Sequence, residues 1–533
     1  MALILASVSD KTGLTEFAKK LSEKGFDFIA SGGTAKVLLD FGIKVKEVSE
    51  YTDSPEILGG RVKTLHPVIH GGILARPNKI DEKELQKLNI EKIDIVIANL
   101  YPFEKTISNP KSSEQDCIEN IDIGGVALLR AAAKNYERVT IICDCSDYKT
   151  VIEEIETAGS VSLRTRKKLA VKAFEMCMNY DSAISKWFKK DETKDDLSEI
   201  AKPECRDIEP SAQINIHGYE SQALRYGENP HQKAWLYTSE KNGGVLGGKV
   251  LQGKELSYNN ILDADAAWRT VSLFKNPAAV VVKHLTPCGI AELGSDGKDL
   301  GQALSAAISC DPVSAYGSII AVNRPFDKSC LDSIGSLFVE CIAAPQFTEE
   351  VRPILAQKKN LRLIENPLNT ASEKYEFKSV TGGFLKQEKD DGAESLIEYK
   401  NAAKRQASII ETELLKFAFK ACLMVKSNAI VLAAPIDSNN EKKGYCTVGI
   451  GCGQPNRVDA ARHAAERAGE KAKGAVLASD AFFPFPDTIE VAAKAGITAV
   501  IQPGGSIRDN LSIEECNKYD MAMLVTGIRH FKH

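Results

Sequence analysis

Short apolar runs of β type alternate with longer stretches of helical spacing through the first third of the chain, and this alternation constrains the fold more than any other feature. The runs lie at 2–6, 26–30, 45–48, 93–98 and 139–143. Strands that alternate with helices pair in parallel and bury both faces, so the pattern predicts an α/β domain with a parallel sheet flanked by helices. Later residues also show apolar strands followed by polar loops and helices, without a transparent repeat. At 533 residues the chain exceeds what one core can organise, and about two to four domains are expected.

Residues 189–210 are dense in charge and poor in apolar side chains, the best boundary in the sequence. They predict a first domain over 1–195, a charged linker over 196–210 and a second domain over 211–533. A second charged patch at 388–394 splits the later region in two, with a boundary near 370–400. Lys and Arg total 68 against 72 Asp and Glu, a net charge of −4 that proposes no nucleic-acid partner. No apolar stretch reaches the ~18 residues of a membrane helix. The run before Asp10 is short and has no leading basic residues, so neither a signal peptide nor an anchor is expected. Thirteen cysteines, an odd number in scattered apolar contexts, read as reduced thiols of a cytoplasmic protein.

Two of the early runs feed polar turns that open helices, Ser7-Val8-Ser9-Asp10-Lys11-Thr12-Gly13 and Ser31-Gly32-Gly33-Thr34. Free backbone N–H groups, hydroxyls and Lys11 at helix N-termini make an anion pocket, most often for phosphate. Either turn alone is also what a plain N-cap looks like. A glycine-flanked loop follows, Gly59-Gly60-Arg61-Val62-Lys63-Thr64-Leu65-His66-Pro67, in which Arg61 and Lys63 fall on one side of an extended chain. His66 and His70 have the i, i+4 spacing of a metal site, but Pro67 and Gly71-Gly72 argue against a helix there, so both read as structural or as supports for residues that themselves meet a ligand. Asn99-Leu100-Tyr101-Pro102-Phe103 follows the fourth run, and Ile121-Asp122-Ile123-Gly124-Gly125 leads into a helix carrying Arg130 and Lys134.

In this order, these motifs resemble the IMP cyclohydrolase domain of the bifunctional purine-biosynthesis family, which couples that activity to AICAR (5-aminoimidazole-4-carboxamide ribonucleotide) formyltransferase. The resemblance implies a methylglyoxal-synthase-like parallel-sheet domain. It places Ser9, Asp10, Lys11, Ser31, Gly32, Gly33 and Thr34 at the nucleotide phosphate, and Arg61, Val62, Thr64, Asn99, Asp122 and Ile123 along base and ribose. It further implies Lys63 and Tyr101 near the ring-closing chemistry, with Asp122 and Lys134 as proton-transfer partners.

In the later region the apolar run 279–282 stops at Lys283-His284, followed by Leu285-Thr286-Pro287-Cys288-Gly289. It reads as a buried strand, ended by Pro287 and Gly289, that delivers a cation and an imidazole to a sheet edge. An isolated Lys-His pair is more often a surface lysine beside a capping histidine. Its companions are Arg225-Tyr226-Gly227, Asp311-Pro312-Val313-Ser314-Ala315-Tyr316-Gly317, Val425-Lys426-Ser427-Asn428, Gly451-Cys452-Gly453-Gln454-Pro455-Asn456-Arg457, Ser479-Asp480-Ala481-Phe482-Phe483, Gln502-Pro503-Gly504-Gly505 and Arg529-His530-Phe531. Together they resemble the AICAR formyltransferase domain of the same family, so the resemblance spans essentially the whole chain.

That resemblance implies two cytidine-deaminase-like α/β subdomains and 10-formyltetrahydrofolate as cosubstrate. It assigns the general base to His284 and the oxyanion partner to Lys283, chemistry that suits an imidazole and an ammonium. AICAR would be held by Arg225, Tyr226, Gly317, Glu340, Asn428, Arg457, Phe482 and Arg529, and folate by Val458, Asp487, Gly504 and Gly505. At least one of Phe482, Phe483 and Phe485 is expected in a hydrophobic core. The segment 436–445 is longer than in some relatives and leaves the placement of Asn428 against Arg457 inferred. The deaminases' zinc signature is missing, since His284 is followed by Leu285-Thr286 and Cys288 by Gly289-Ile290-Ala291, so no catalytic zinc is expected. A monovalent-cation requirement is left open. The family implies a homodimer with formyltransferase sites at the subunit interface. Two rival expectations are a nucleotide-binding regulator without turnover and a chain with one live domain and one relic.

Overall fold

A computed structural model describes residues 2–192, 214, 216, 218–240, 243–366, 374–392 and 394–533. The chain divides into two units, Met1–Glu209 and Pro210–His533. The linker expected at 196–210 lies outside the described residues.

Each early apolar run forms a strand: β1 (Leu3–Ser7), β2 (Asp27–Ala30), β3 (Val45–Glu47), β4 (Ile93–Ala98) and β5 (Thr140–Ile142). They pair in parallel in the order β3-β2-β1-β4-β5. Consecutive residues Ile4, Leu5 and Ala6 are all fully buried, so both faces of the central strand are covered. In this unit the structure corrects a local reading. A helix does run over Pro67–Leu74, capped by His66, whose Nδ1 accepts from Val68 N at 3.3 Å. Proline is at home in a first helical turn. Gly72 is required by close packing, because a Cβ there would stand 2.6 Å from the Glu91 carbonyl oxygen.

In the second unit, β6 (Tyr219–Leu224) and β7 (Ala234–Thr238) form a separate hairpin, as do β14 (Tyr375–Val380) and β15 (Gly383–Glu388). The other strands make one sheet of twelve. Its first half contains β8 (Lys249–Gln252), β9 (Ala278–Lys283), β10 (Thr286–Leu293), β11 (Ser318–Val322), β12 (Val339–Ala344) and β13 (Arg362–Glu365). Its second half contains β16 (Lys400–Asn401), β17 (Ile430–Pro435), β18 (Gly444–Gly451), β19 (Val476–Ser479), β20 (Ala499–Gln502) and β21 (Ala522–Val525). Outward from the seam the orders are β10-β9-β11-β12-β13-β8 and β18-β17-β19-β20-β21-β16. The two halves thus repeat each other strand for strand, with the same parallel and antiparallel pairings, although the sequence shows no transparent repeat.

Strand β9 is covered on both faces, as its apolar run predicts. Ala279 and Val281 enter the core on one side of the sheet, and Ala278, Val280 and Val282 the core on the other. Each buried valine contributes on the order of 1.5–3 kcal/mol of apolar burial. Its end, however, is not set by Pro287 and Gly289. The strand stops at Lys283, turns through His284 and Leu285, and returns as β10, with Thr286 paired to Lys283. Pro287 and Gly289 lie inside β10, where the register shifts between them, a setting in which a strand tolerates both residues.

Gly289 has a packing reason of its own, since an added Cβ would lie 1.8 Å from the Ala307 carbonyl oxygen. Gly289→Ala is therefore expected to destabilise the second unit by about 1–3 kcal/mol, read by denaturant unfolding. Gly383→Ala, where nothing lies within 4 Å, should be near neutral; equal effects of the two would remove the packing explanation.

Candidate active sites

The carboxyl ends of β1, β2 and β4 gather the first set of side chains, where ligands of open parallel sheets commonly sit. Asn99, just after β4, accepts from Ser9 N at 2.6 Å and Asp10 N at 3.1 Å, and its Nδ2 donates to Asp10 O at 2.8 Å. Asn99 thereby fixes the turn after β1. Asp10 accepts from Thr12 N and Oγ1, which holds its carboxyl below the usual range. Thr34 is buried and bonded to both Val8 N and Val8 O, tying the two polar turns together. Ser31 opens the helix Gly32–Asp40 without a side-chain cap; its Oγ lies 2.9 Å from Ser7 Oγ instead. That leaves the helix N-terminus facing the same edge, where the positive end of its dipole favours an anion. Lys11 Nζ donates to Ser9 O at 3.2 Å.

Lys63 reaches this helix start, its Nζ 3.7 Å from where a Gly32 Cβ would be, and pairs with Glu56 Oε2 at 3.1 Å. Thr64 is buried, its Oγ1 3.1 Å from a Cβ position on Gly124. Asp122 sits before the helix Gly124–Lys134 and accepts from Gly125 N at 2.6 Å and Tyr101 N at 3.3 Å. Burial raises its carboxyl pKa above the ordinary carboxylate value despite these bonds. The Asp122 N–H donates to Tyr180 Oη at 2.9 Å, and burial pushes that phenol up to about 12. The Tyr101 and Ile123 side chains are exposed.

Two expected members stand apart. Arg61 is exposed and paired with Glu119, its Nε 3.1 Å from Oε2, while its neighbour Val62 bridges to Ile57. Lys134 is exposed at the far end of its eleven-residue helix, about 16 Å long, from Asp122. Glu56 carries no motif and sequence reasoning missed it.

In the second unit, the His284-Leu285 turn has φ of 54° and 64°. Positive φ at both central residues is the condition of a type I′ hairpin turn, normally met by Asn-Gly. For ordinary side chains such a conformation costs roughly 1 kcal/mol or more each, and it clusters at functional sites. Asp263, on the helix Tyr258–Ser272, accepts from His284 N at 3.2 Å through one carboxylate oxygen and from Leu285 N at 2.6 Å through the other. No sequence motif marked Asp263. The same helix end holds two further pieces: Asn260 Nδ2 donates to Glu340 Oε2 at 2.9 Å, and Asn259 Nδ2 to Glu228 O at 3.3 Å in the turn after Arg225-Tyr226. Glu340 also faces Arg362 Nη1 at 3.5 Å, and Arg225 lies over the Tyr226 ring.

Lys283 Nζ donates to Tyr316 O at 2.6 Å, beside Gly317, whose φ is 71°. An ammonium has three protons, so two remain for a ligand. His284 is exposed beside a cleft also bounded by Cys288, Asp311, Cys452 and Arg467. Burial pushes the Cys288 thiol up to about 12, which keeps it from acting as a nucleophile.

The β10–β18 seam brings the second half's loops to this edge. Asn428 Nδ2 donates to Gln454 O at 2.8 Å, and the pair Ile430–Gly451 puts both loops at one end of their hairpin. The long 436–443 connection is at the other end and does not disturb them. Arg457 binds the fully buried Asp480 at 3.0 Å and donates to Phe482 O at 3.2 Å. Asp480 also accepts from Ser427 Oγ at 2.5 Å, and its backbone oxygen takes His530 N at 3.0 Å, which draws the segment carrying Arg529 alongside. Phe483 is fully buried while Phe482 and Phe485 are exposed. Val458 follows Arg457 in its helix, Asp487 starts the helix Asp487–Lys494, and Gly504 and Gly505 have φ of 73° and 93°. Asp509 holds their loop, accepting from Gly505 N at 2.7 Å. Among the described residues no group of three or more His, Cys, Asp or Glu is placed to hold a metal ion, and no helix is long and apolar enough to cross a membrane.

A family model described as "AICARFT/IMPCHase bienzyme" matches residues 132–467, and one described as "MGS-like domain" matches residues 13–127. A protein of Acetivibrio thermocellus named bifunctional purine biosynthesis protein PurH is 47% identical over 537 residues, covering 99% of each chain. Proteins of the same name from Halalkalibacterium halodurans and Bacillus subtilis are each 46% identical over 533 residues, again across 99% of both chains. The chain belongs to the AICARFT/IMPCHase bienzyme family, the bifunctional purine biosynthesis proteins.

Proposed function

We propose that the two activities of this family are divided between the two units, with formyl transfer centred on Lys283 and His284 and ring closure on Lys63, Tyr101 and Asp122. The chain is a bifunctional enzyme of purine biosynthesis, an AICAR formyltransferase and IMP cyclohydrolase. The observation that carries the assignment of the first step is the held turn that sets a cation and an imidazole side by side at a sheet edge. In that step the 5-amino group of AICAR attacks the formyl carbon of 10-formyltetrahydrofolate. The amine is conjugated with the imidazole ring and needs its proton removed as the bond forms. His284 takes that proton, Lys283 faces the tetrahedral oxyanion, and collapse breaks the bond to N10, which leaves protonated as tetrahydrofolate. Arg225, Tyr226, Gly317, Glu340, Asn428, Arg457, Phe482 and Arg529 are read as the AICAR set, and Val458, Asp487, Gly504 and Gly505 as the folate set.

In the second step the carboxamide nitrogen of formyl-AICAR attacks its own formyl carbon and water leaves, giving IMP. Both reacting groups are tethered, so holding the folded conformer is much of the task. The helix start at Gly32 with Lys11 and the Ser9–Asp10 turn receives the phosphate, Lys63 meets the formyl oxygen, and Asp122 exchanges a proton. Arg61 serves the nucleotide after leaving Glu119. Lys134, exposed at the far end of its helix, is assigned its proton-transfer role on the resemblance alone. Nothing observed favours a regulator without turnover.

We further read the protein as a cytosolic homodimer. Trp235 and Tyr237 are exposed on the hairpin that leads from Arg225-Tyr226, and Phe377, Phe384 and Leu385 on the second hairpin, more large apolar surface than two isolated hairpins keep in water.

His284→Ala should lower IMP formation from AICAR and 10-formyltetrahydrofolate by about 10²- to 10⁴-fold while cyclising supplied formyl-AICAR at the normal rate; loss of both would join what is assigned here to separate units. Lys63→Ala should do the reverse, losing on the order of 100-fold in ring closure, and undiminished cyclisation would remove Lys63 from the site. Both assays are run in sodium and potassium buffers, since the sequence leaves a cation requirement open. Sedimentation equilibrium should return twice the chain mass, against which a fully active monomer would count decisively.

A further inference from the structure

Lys283 and His284 can work together only if the turn between β9 and β10 keeps one conformation. The turn has no length to spare, because Thr286 already pairs with Lys283 across it. Both central residues carry positive φ, and neither is the glycine or asparagine that adopts it freely. Something outside the hairpin has to hold it. Both N–H groups of the turn point at one carboxylate, His284 N to Asp263 Oδ2 at 3.2 Å and Leu285 N to Asp263 Oδ1 at 2.6 Å. Two bonds from consecutive N–H groups to the two oxygens of one carboxylate fix orientation as well as distance, and a charged acceptor makes each stronger than a neutral one would.

The holder is itself rigid. Asp263 lies in the second turn of the helix Tyr258–Ser272, whose start is locked by a capping box between Ser257 and Asn260. Ala264, Ala267 and Val271 of that helix are fully buried in the core beneath the sheet. Asn260, three residues before Asp263 and so on the same face, holds Glu340.

We infer that Asp263 is a positioning residue for formyl transfer: its carboxylate holds the His284-Leu285 turn in the left-handed conformation that sets the Lys283 ammonium and the His284 imidazole toward the substrate. The inference rests on His284 and Lys283 being the base and the oxyanion partner. Asp263 itself touches neither reacting atom, so its removal disturbs alignment, not substrate binding. Asparagine retains one acceptor oxygen and presents an N–H₂ to the second backbone donor, so it replaces only part of the grip.

The test uses the full-length protein, with thermal melting to check folding and cyclisation of supplied formyl-AICAR as an internal reference in the same chain. Asp263→Ala should lower kcat for formyl transfer by about 100-fold, the scale of a misplacement near 1 Å, with KM for AICAR within about threefold of wild type. Asp263→Asn should fall between Asp263→Ala and wild type, with cyclisation unchanged in both. Adding Leu285→Gly to Asp263→Ala should recover roughly tenfold in kcat, because glycine takes positive φ without the carboxylate. General damage to the unit would not be repaired by a second substitution that removes a packed side chain. The inference is overturned if Asp263→Ala keeps kcat within about threefold of wild type, if it raises KM alone, or if Leu285→Gly brings no recovery. His284→Ala is measured alongside: if it retains formyl transfer, the assignment of the base fails first, whatever Asp263 does.

Discussion

Three backbone pairings, Ala291 with Cys446, Glu292 with Tyr445 and Leu293 with Gly444, join two repeated halves into one twelve-stranded sheet, and the arrangement of the second unit's site depends on them. The seam is reinforced by Thr447, whose Oγ1 accepts from Ile290 N at 2.9 Å. It admits no side chain at Gly444, since a Cβ there would meet Glu292 O at 2.1 Å. Antiparallel pairing at the seam puts the ends of β9, β18 and β19 at one edge of the sheet. The loops carrying Asn428, Arg457 and Phe482 therefore lie along the same sheet edge as Lys283 and His284 although up to about 200 residues separate them in sequence.

The two sites use different physics. In the first unit the candidate edge is made of backbone donors and a helix N-terminus, tied by Asn99 and Thr34, and Lys63 adds its charge over Gly32. Such a site suits a phosphate and a folded intermediate. In the second unit Lys283 and His284 project from a strained two-residue turn, and charged residues elsewhere along the edge are paired and buried. Arg457 with Asp480 is one such pair, worth little as a net source of stability but costly to break. One helix end, through Asn259, Asn260 and Asp263, touches three separate pieces of the edge, so the geometry of the site is that of the helix.

Much of this was legible in the sequence because the signals were local. Each early apolar run is a strand, and the two polar turns lie where helices begin, since β-type runs and N-terminal Ser, Gly and Thr act within a few residues. What failed was punctuation. Pro67 and the glycines after it argued against a helix that forms, and Pro287 with Gly289 was read as the end of a strand when both lie inside the next. In both places the deciding contact is distant, Glu91 for Gly72 and Ala307 for Gly289. Asp263 and Glu56 were invisible for the same reason: each acts through a partner that sequence spacing does not reveal. The repeat of the two halves also lies in strand order, not in residues.

If the two units hold independent sites, each defect should be curable by the other protein. His284→Ala and Lys63→Ala should each convert AICAR and 10-formyltetrahydrofolate to IMP only slowly on their own, yet an equimolar mixture should do so far faster, because the Lys63 variant formylates and the His284 variant closes the ring. Following IMP formation in that mixture tests the division of labour most directly. Restored synthesis is the result this account predicts, and a mixture as slow as its components, under conditions where added formyl-AICAR is still cyclised, would contradict it.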